Sequence, residues 1–279
     1  MLELYHEASE ACSKIVTKKY STSFSLAIKT LAPGLRVPIY QIYGFVRLAD
    51  EIVDTFHQYN KKELLSEFRE STYKAIKDGI SLNPILNSFQ RVVNQYGIER
   101  ELIDAFLDSM EMDLYESKYN DFKFQKYVYG SAESVGLMCL RVFCNNDHKR
   151  FESLRLSARK LGSAFQKVNF LRDMESDYSD RGRNYFPGID FNCFDSNVKQ
   201  QIEVDIQNDF DDALQGIIRL PETAKLGVYL AYIYYLSLFR KIKRLEPEKI
   251  MSTRVRVANP EKIFLLLKTY FSYRLILKS

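Results

Sequence analysis

The chain has little of what marks secreted, membrane-spanning or modular proteins. Only four cysteines occur in 279 residues, at Cys12, Cys139, Cys144 and Cys193. No two of them form a CxxC pair or a zinc-ligand spacing, which argues against a disulfide scaffold or a structural zinc site and favours a reduced, cytoplasmic setting. Glycine (11) and proline (7) are sparse and no linker is rich in either, so one domain over residues 1–279 is expected. The longest uncharged run, 226–239, has 14 residues. A bilayer needs about 20, so the run reads as a buried helix. The N-terminal stretch MLELYHEASEACSKIV is acidic early and holds no long apolar run, so no signal peptide is expected. The net charge is only +4, which gives no nucleic-acid signature. No GxGxxG follows a strand pattern, no run alternates with period two, and no long-period repeat occurs.

What is present is apolar and helical. Apolar residues make up 46% of the chain, enough for a large core. Pro33-Gly34 breaks the chain, and Pro38 is expected to precede a helix. Further helices are expected over 61–77, 84–96, 99–117, 122–143 and 150–178, then over 198–220, 221–245 and 260–277 after a loop at 180–197. Asn83-Pro84 reads as an N-cap followed by N1. Gly97 closes the next helix. Leu102, Ile103, Phe106, Leu107 and Met110 form an apolar stripe. Gly130 and Gly136 sit inside the 122–143 pattern, where glycine costs about 1 kcal/mol against alanine. Either close helix packing or a bend beside a ligand accounts for them.

The chain is organised around residues 161–187, LGSAFQKVNFLRDMESDYSDRGRNYFP. Phe165, Val168 and Leu171 give this stretch an apolar face. Beside it, Gln166, Asn169, Asp173 and Asp177 recur at steps of three, four and four and stack along one side of a helix. Like charges at i and i+4 destabilise a helix by a few tenths of a kcal/mol. A lone DxxxD is commonly a solvated face, but here the pattern occurs twice. In YQIYGFVRLADEIVDTF, residues Tyr43, Arg47, Asp50 and Asp54 make a second stripe on an otherwise largely apolar helix. Two such helices facing each other would hold cations between them, as helix bundles do, and magnesium suits carboxylate oxygens and phosphates.

These stretches resemble the squalene and phytoene synthases. Leu161, Gly162, Gln166, Asn169, Arg172, Asp173, Asp177, Arg183, Tyr185 and Pro187 fall at the spacing of one family signature. The stretch around Asp50 and Asp54 resembles the other aspartate-rich motif. YVYGSAESVG matches at Tyr127, Gly130, Ala132, Val135 and Gly136, and Ser21-Thr22-Ser23-Phe24 resembles the family's phosphate-contacting flap. The sequence departs at Glu133, where the family has a small residue, and at Glu51, which replaces an Asp.

The resemblance implies an all-α, isoprenoid-synthase-like helical bundle with a central cavity. It implies magnesium or manganese on Asp50, Asp54, Asn169, Asp173 and Asp177. Tyr43 and Arg47 would stand with the aspartates in the catalytic centre. Ser21, Ser23, Ile28, Tyr127, Gln166, Asn169, Arg172, Arg183, Tyr235 and Arg254 would contact an isoprenoid diphosphate substrate. From the residues alone, Arg183 reads first as an ion-pair partner of Asp180, and Gln166 equally as a buried amide bonded to a neighbouring helix. The carbocations of such a reaction need a dry, aromatic pocket, and the chain has 19 Tyr and 19 Phe. The resemblance looks closest to the phytoene-forming branch, which joins two geranylgeranyl diphosphates without NADPH. A C-terminal membrane helix, common in squalene enzymes, is not expected here. Squalene or dehydrosqualene synthesis from farnesyl diphosphate, and a non-catalytic assembly role, are the alternatives. Residues 240–279 hold eleven Lys or Arg against three Asp or Glu, so weak peripheral contact of the basic C-terminal helix with a membrane is expected.

Overall fold

The computed structural model describes residues 1–179, 182–189 and 194–276. Cys193 and residues 277–279 lie outside the described residues. Helices account for almost all of the described structure: α1 (Leu2–Tyr20), α2 (Thr22–Thr30), α3 (Pro33–Asp54), α4 (Lys61–Asp78), α5 (Pro84–Tyr96), α6 (Arg100–Tyr115) and α7 (Asp121–Val128) come first. A π-helical turn, Tyr129–Glu133, leads into α8 (Ser134–Cys144). Then come α9 (His148–Ser179), α10 (Ser196–Ile217), α11 (Glu222–Lys243), α12 (Pro247–Ile250) and α13 (Asn259–Ile276). Among the described residues the only strand-like feature is an isolated bridge between Lys118 and Asn184.

The boundaries follow local chemistry. The Asn83 side chain accepts from the Ile85 and Leu86 amides with Pro84 at the first helical position, which spends no backbone donor. Gly79 and Gly97 end α4 and α5 at positive φ (71° and 59°), the left-handed cap that glycine adopts without strain. The Asp195 side chain accepts from the Asn197 and Val198 amides, so α10 starts two residues earlier than expected.

Two expectations are corrected. Pro38 does not precede the first motif helix. It lies inside α3, which begins at Pro33. Pro38 has no N–H to offer the Gly34 carbonyl, so one bond of the second turn is missing while the helix runs on. The 122–143 helix is not continuous. It widens into the π-helical turn where Gly130 and Gly162 allow backbones to meet. A Cβ on Gly130 would lie 2.2 Å from the Ala105 carbonyl of α6, and one on Gly162 would lie 2.7 Å from the Ala132 carbonyl of the turn. The turn is thus clasped between α6 and α9, and π turns of this kind occur often at functional sites.

The core positions α3. Phe45 stacks on Phe89 of α5 (centroids 3.8 Å apart, planes at 4°) and leans on Phe106 of α6 at 5.5 Å. All three rings are fully buried, and each contributes roughly 1.5–3 kcal/mol by burial. On the other side, α9 is fixed to α10 through Asp209. This wholly buried carboxylate accepts from Lys160 Nζ, Lys167 Nζ and Ser163 Oγ, each at 2.7 Å.

Candidate active site

Helices α3 and α9 carry their polar stripes into one cavity of about 590 Å³. Ser21, Ile28, Tyr43, Arg47, Asp50, Asp54, Tyr127, Gln166, Asn169, Arg172, Asp173, Asp177, Arg183, Tyr235 and Arg254 all line it. Ser23 does not. It lines a small pocket between α2, α11 and α13, with Lys262 and Tyr234. Ser21 is the N-cap of α2, with extended backbone and its Oγ accepting from the Phe24 amide at 3.2 Å, whereas Ser23 lies inside the first turn of the helix, so the two hydroxyls leave the chain in different directions. Phe24 and Ile28, four apart, share the cavity side.

The polar end holds alternating charge. Asp54 Oδ1 accepts from Arg183 Nη1 at 3.1 Å. Asp173 is held by Arg172 on its own helix (Nε to Oδ1, 3.0 Å) and by Arg254 from the far end of the chain (Nε to Oδ1, 2.7 Å). Arg47 reaches Asp50 at 3.6 Å, pairs with Glu51 and lies 4.3 Å over the Tyr20 ring. Its buried Nε has no hydrogen-bond partner among the described residues, a donor left for a ligand in a site otherwise satisfied. Glu51 therefore keeps the charge of the Asp it replaces and applies it to Arg47. Glu133 pairs with Arg159 Nε at 2.6 Å instead of lining the cavity, so the departure from a small residue leaves the lining intact.

Burial shapes the ionisation of these groups. It pushes the Tyr43 hydroxyl up to about 12, the neighbouring Asp50 adding to the effect, while a hydrogen bond with Ser21 opposes it. Burial also disfavours the charge on Arg172, but the Asp173 carboxylate outweighs it and holds the guanidinium above its ordinary range. Arg172 therefore stays a fixed cation.

The sequence reading missed Asp113. This buried carboxylate on α6 accepts from Tyr127 OH at 2.8 Å and Tyr185 OH at 3.1 Å. Arg183 lies 3.6 Å from it and donates to its backbone carbonyl at 2.8 Å. Burial pushes Asp113 up to about 6, although Arg183 and Tyr127 favour its charged form. The network links Tyr127 through Arg183 to Asp54. A signal was available: position 113 continues the stripe of Phe106 and Met110, and a charged residue on an apolar face calls for partners. Phe165 was also unassigned. It stacks on Tyr235 (3.9 Å, 15°) and faces Phe24 at 6.5 Å, and all three rings line the cavity.

The donors suit a hard cation. Asp50, Asp54, Asn169, Asp173 and Asp177 offer oxygen only. Among the described residues no three acidic, histidine or cysteine side chains converge on one point, so there is no closed cage of the zinc kind. An arrangement of paired carboxylates fits magnesium or manganese that takes its remaining ligands from water and a substrate phosphate.

Beyond the charges the wall is apolar, with Ile28, Leu31, Ile42, Val46, Leu140 and Leu154 among its residues. One end can bind an anion through arginines and metal-binding carboxylates, and the other can hold a long hydrocarbon.

A family model described as squalene/phytoene synthase matches residues 17–261. The chain is 25% identical to phytoene synthase 2, chloroplastic, of Solanum lycopersicum, across 95% of this chain and 90% of that one. It is 25% identical to phytoene synthase 1, chloroplastic, of the same plant, covering 87% of this chain and 63% of the relative. Among solved structures it resembles a dehydrosqualene synthase in complex with ligand, with a TM-score of 0.81 at 20% identity over 97% of this chain and 98% of that one. It also resembles squalene synthase HpnC from Alicyclobacillus acidocaldarius, with a TM-score of 0.75 at 19% identity over 86% and 95% of the two chains. These two structures share the all-helical fold.

Proposed function

This chain belongs to the squalene/phytoene synthase family, and from that premise we propose that it joins two geranylgeranyl diphosphates head to head into phytoene, a step of carotenoid biosynthesis. It is an enzyme of the prenyltransferase type. The observation that carries the reading is the meeting of two aspartate pairs, from α3 and α9, with four arginines at one end of an apolar cavity. The curated plant relatives, named as phytoene synthases, support the same choice of product.

The reaction passes through a cyclopropyl diphosphate, so diphosphate leaves twice from the same centre. Arg47, Arg172, Arg183 and Arg254 bind and orient the diphosphate, guanidinium groups being suited to bidentate phosphate contacts. Ser21 and Tyr43 place hydroxyls at the same end. Magnesium or manganese, held through Asp50, Asp54, Asn169, Asp173 and Asp177, would act as a Lewis acid on the leaving group. The rings of Phe24, Phe165 and Tyr235 face the developing allylic cation, each contributing about 0.5–2 kcal/mol of attraction, and the apolar wall keeps water away. The final step is proton loss, so no NADPH is required.

A second reading is condensation of farnesyl diphosphate to squalene or dehydrosqualene, which the names of the two solved structures favour. Incubating the purified protein with each diphosphate and magnesium, with and without NADPH, separates the two by the hydrocarbon formed. No product from either diphosphate in folded protein would favour a non-catalytic assembly role. We place the enzyme in the cytoplasm as one domain, in weak contact with membranes through its basic C-terminal helix.

A further inference from the structure

The cavity has a built-in length scale, because α9 runs along it from the charged end to the floor. Asp173, Asn169, Phe165, Leu161, Ala158 and Leu154 all line it. A helix rises about 1.5 Å per residue, so each lining position on α9 marks a depth. With the diphosphate between Asp173 and Asn169, the first carbon of the chain lies near Asn169. An extended isoprene unit, four carbon–carbon bonds of about 1.5 Å, covers roughly 5 Å. Three units end about ten residues further along α9, just short of Ala158. A fourth unit ends about thirteen residues along, just past Ser157.

The opposite wall can be read at the same depths. Helices α8 and α9 form an antiparallel hairpin through the turn at Asn145, with Gly162 against Ala132 and Gly136 so near α9 that a Cβ there would lie 3.1 Å from the Ala158 carbonyl. Cys139 therefore faces a level about three residues beyond Ala158, at the far end of the fourth unit, with Leu140 level with Leu154 and Phe143 deeper still. From α10, Gly216 approaches so closely that a Cβ there would lie 2.3 Å from Ser157 Cβ. At the depth of a fourth isoprene unit the α8 and α9 walls thus present the small side chains of Cys139, Ser157 and Ala158, with Gly216 and Ile217 of α10 opposite, and the large Leu154 and Phe143 lie immediately below.

The geometry points to Cys139, Ser157 and Ala158 as the residues that admit the fourth isoprene unit and so set the preferred substrate at twenty carbons, with Leu154 and Phe143 as the stop below them. The inference rests on the cavity being the prenyl diphosphate site, and it names the residues that decide chain length within that site.

The test measures kcat/KM by diphosphate release with magnesium, for the farnesyl, geranylgeranyl and twenty-five-carbon diphosphates. In the wild type the value rises from farnesyl to geranylgeranyl and falls for the longest chain. Ala158→Phe and Cys139→Phe each lower the ratio of geranylgeranyl to farnesyl use by about tenfold or more, through overpacking at that depth. Leu154→Ala raises use of the twenty-five-carbon substrate. Equal slowing of both shorter substrates in folded Phe variants overturns the assignment, as does a wild type that prefers farnesyl diphosphate. If the Phe variants fail to fold, the wild-type chain-length profile decides alone. A folded wild type that consumes none of the three diphosphates defeats the proposed function itself, and that outcome is distinct from a wrong chain length.

Discussion

Asp50 and Asp173 differ in how the protein holds them, though both are the first aspartate of a pair. Asp50 lies 3.6 Å from Arg47, which is itself engaged with Glu51. Asp173 is gripped by both Arg172 and Arg254. Asp50→Asn and Asp173→Asn are each expected to leave the fold intact and to lower turnover by about 10²–10³-fold or more, the scale of losing one charge-stabilising group. Steady-state rates in saturating magnesium check this, and a near-wild-type rate would remove that residue from the metal-binding set. Asp113 gives a pH test. Its pKa is raised from 3.8 to about 6, so the folded protein holds this proton more tightly than the unfolded chain does. The stability it contributes is present below about 4 and lost as pH rises through about 6. Asp113→Asn stays neutral throughout, so wild-type stability should fall relative to the variant across that window. Parallel urea titrations at several pH values would show it, and an unchanged difference would contradict it. The aspartates were legible because their spacing repeats. Asp113 was not read because its partners, Tyr127, Tyr185 and Arg183, are brought to it only by the fold.

At the scale of the element, helical period and caps were largely legible, and the backbone irregularities were not. The glycines of 130 and 136 announced either a bend or close packing. The structure shows both at Gly130, where a π-helical turn meets α6. Pro38 misled because proline usually ends a helix, whereas α3 continues through it with one bond missing. Ser23 was grouped with Ser21 because both belong to one motif, although Ser21 is the extended N-cap of α2 and Ser23 lies within its first turn. The α9–α10 clamp was invisible in sequence, since Lys160, Lys167 and Asp209 lie far apart along the chain. Asp209→Ala would leave two lysines without their buried partner, one of them largely enclosed. Lys167 keeps Asp205 and Lys160 is partly exposed, so the expected loss is about 1–3 kcal/mol, that of removing a buried acceptor from its donors, read as a lower midpoint in chemical denaturation. A change under about 0.5 kcal/mol, the range of ordinary surface substitutions, would show that the clamp is not what fixes α9 to α10.

For the whole molecule, the helical periods announced an all-helical bundle, whereas its central cavity was implied by the resemblance of the motifs. Fifteen of its polar and apolar lining residues were named from the motifs, whereas Asp113 and Phe165 joined them only through the packing of α6, α9 and α11. The outer surface raises a separate question of location. Among the described residues no helix is long and apolar enough to cross a membrane, yet α13 exposes Phe264 and Leu267 within the basic 240–279 segment. Each Lys or Arg near an anionic surface contributes about 1 kcal/mol. Weak, salt-reversible sedimentation with phosphatidylglycerol vesicles at low salt is therefore expected, and equal recovery in the supernatant with and without vesicles would count against it. The central claim is the reaction, and its most direct test is the product. Purified protein with geranylgeranyl diphosphate and magnesium, without NADPH, should yield phytoene by chromatography and mass spectrometry. Squalene formed from farnesyl diphosphate only when NADPH is supplied, with no phytoene from the longer substrate, would contradict it.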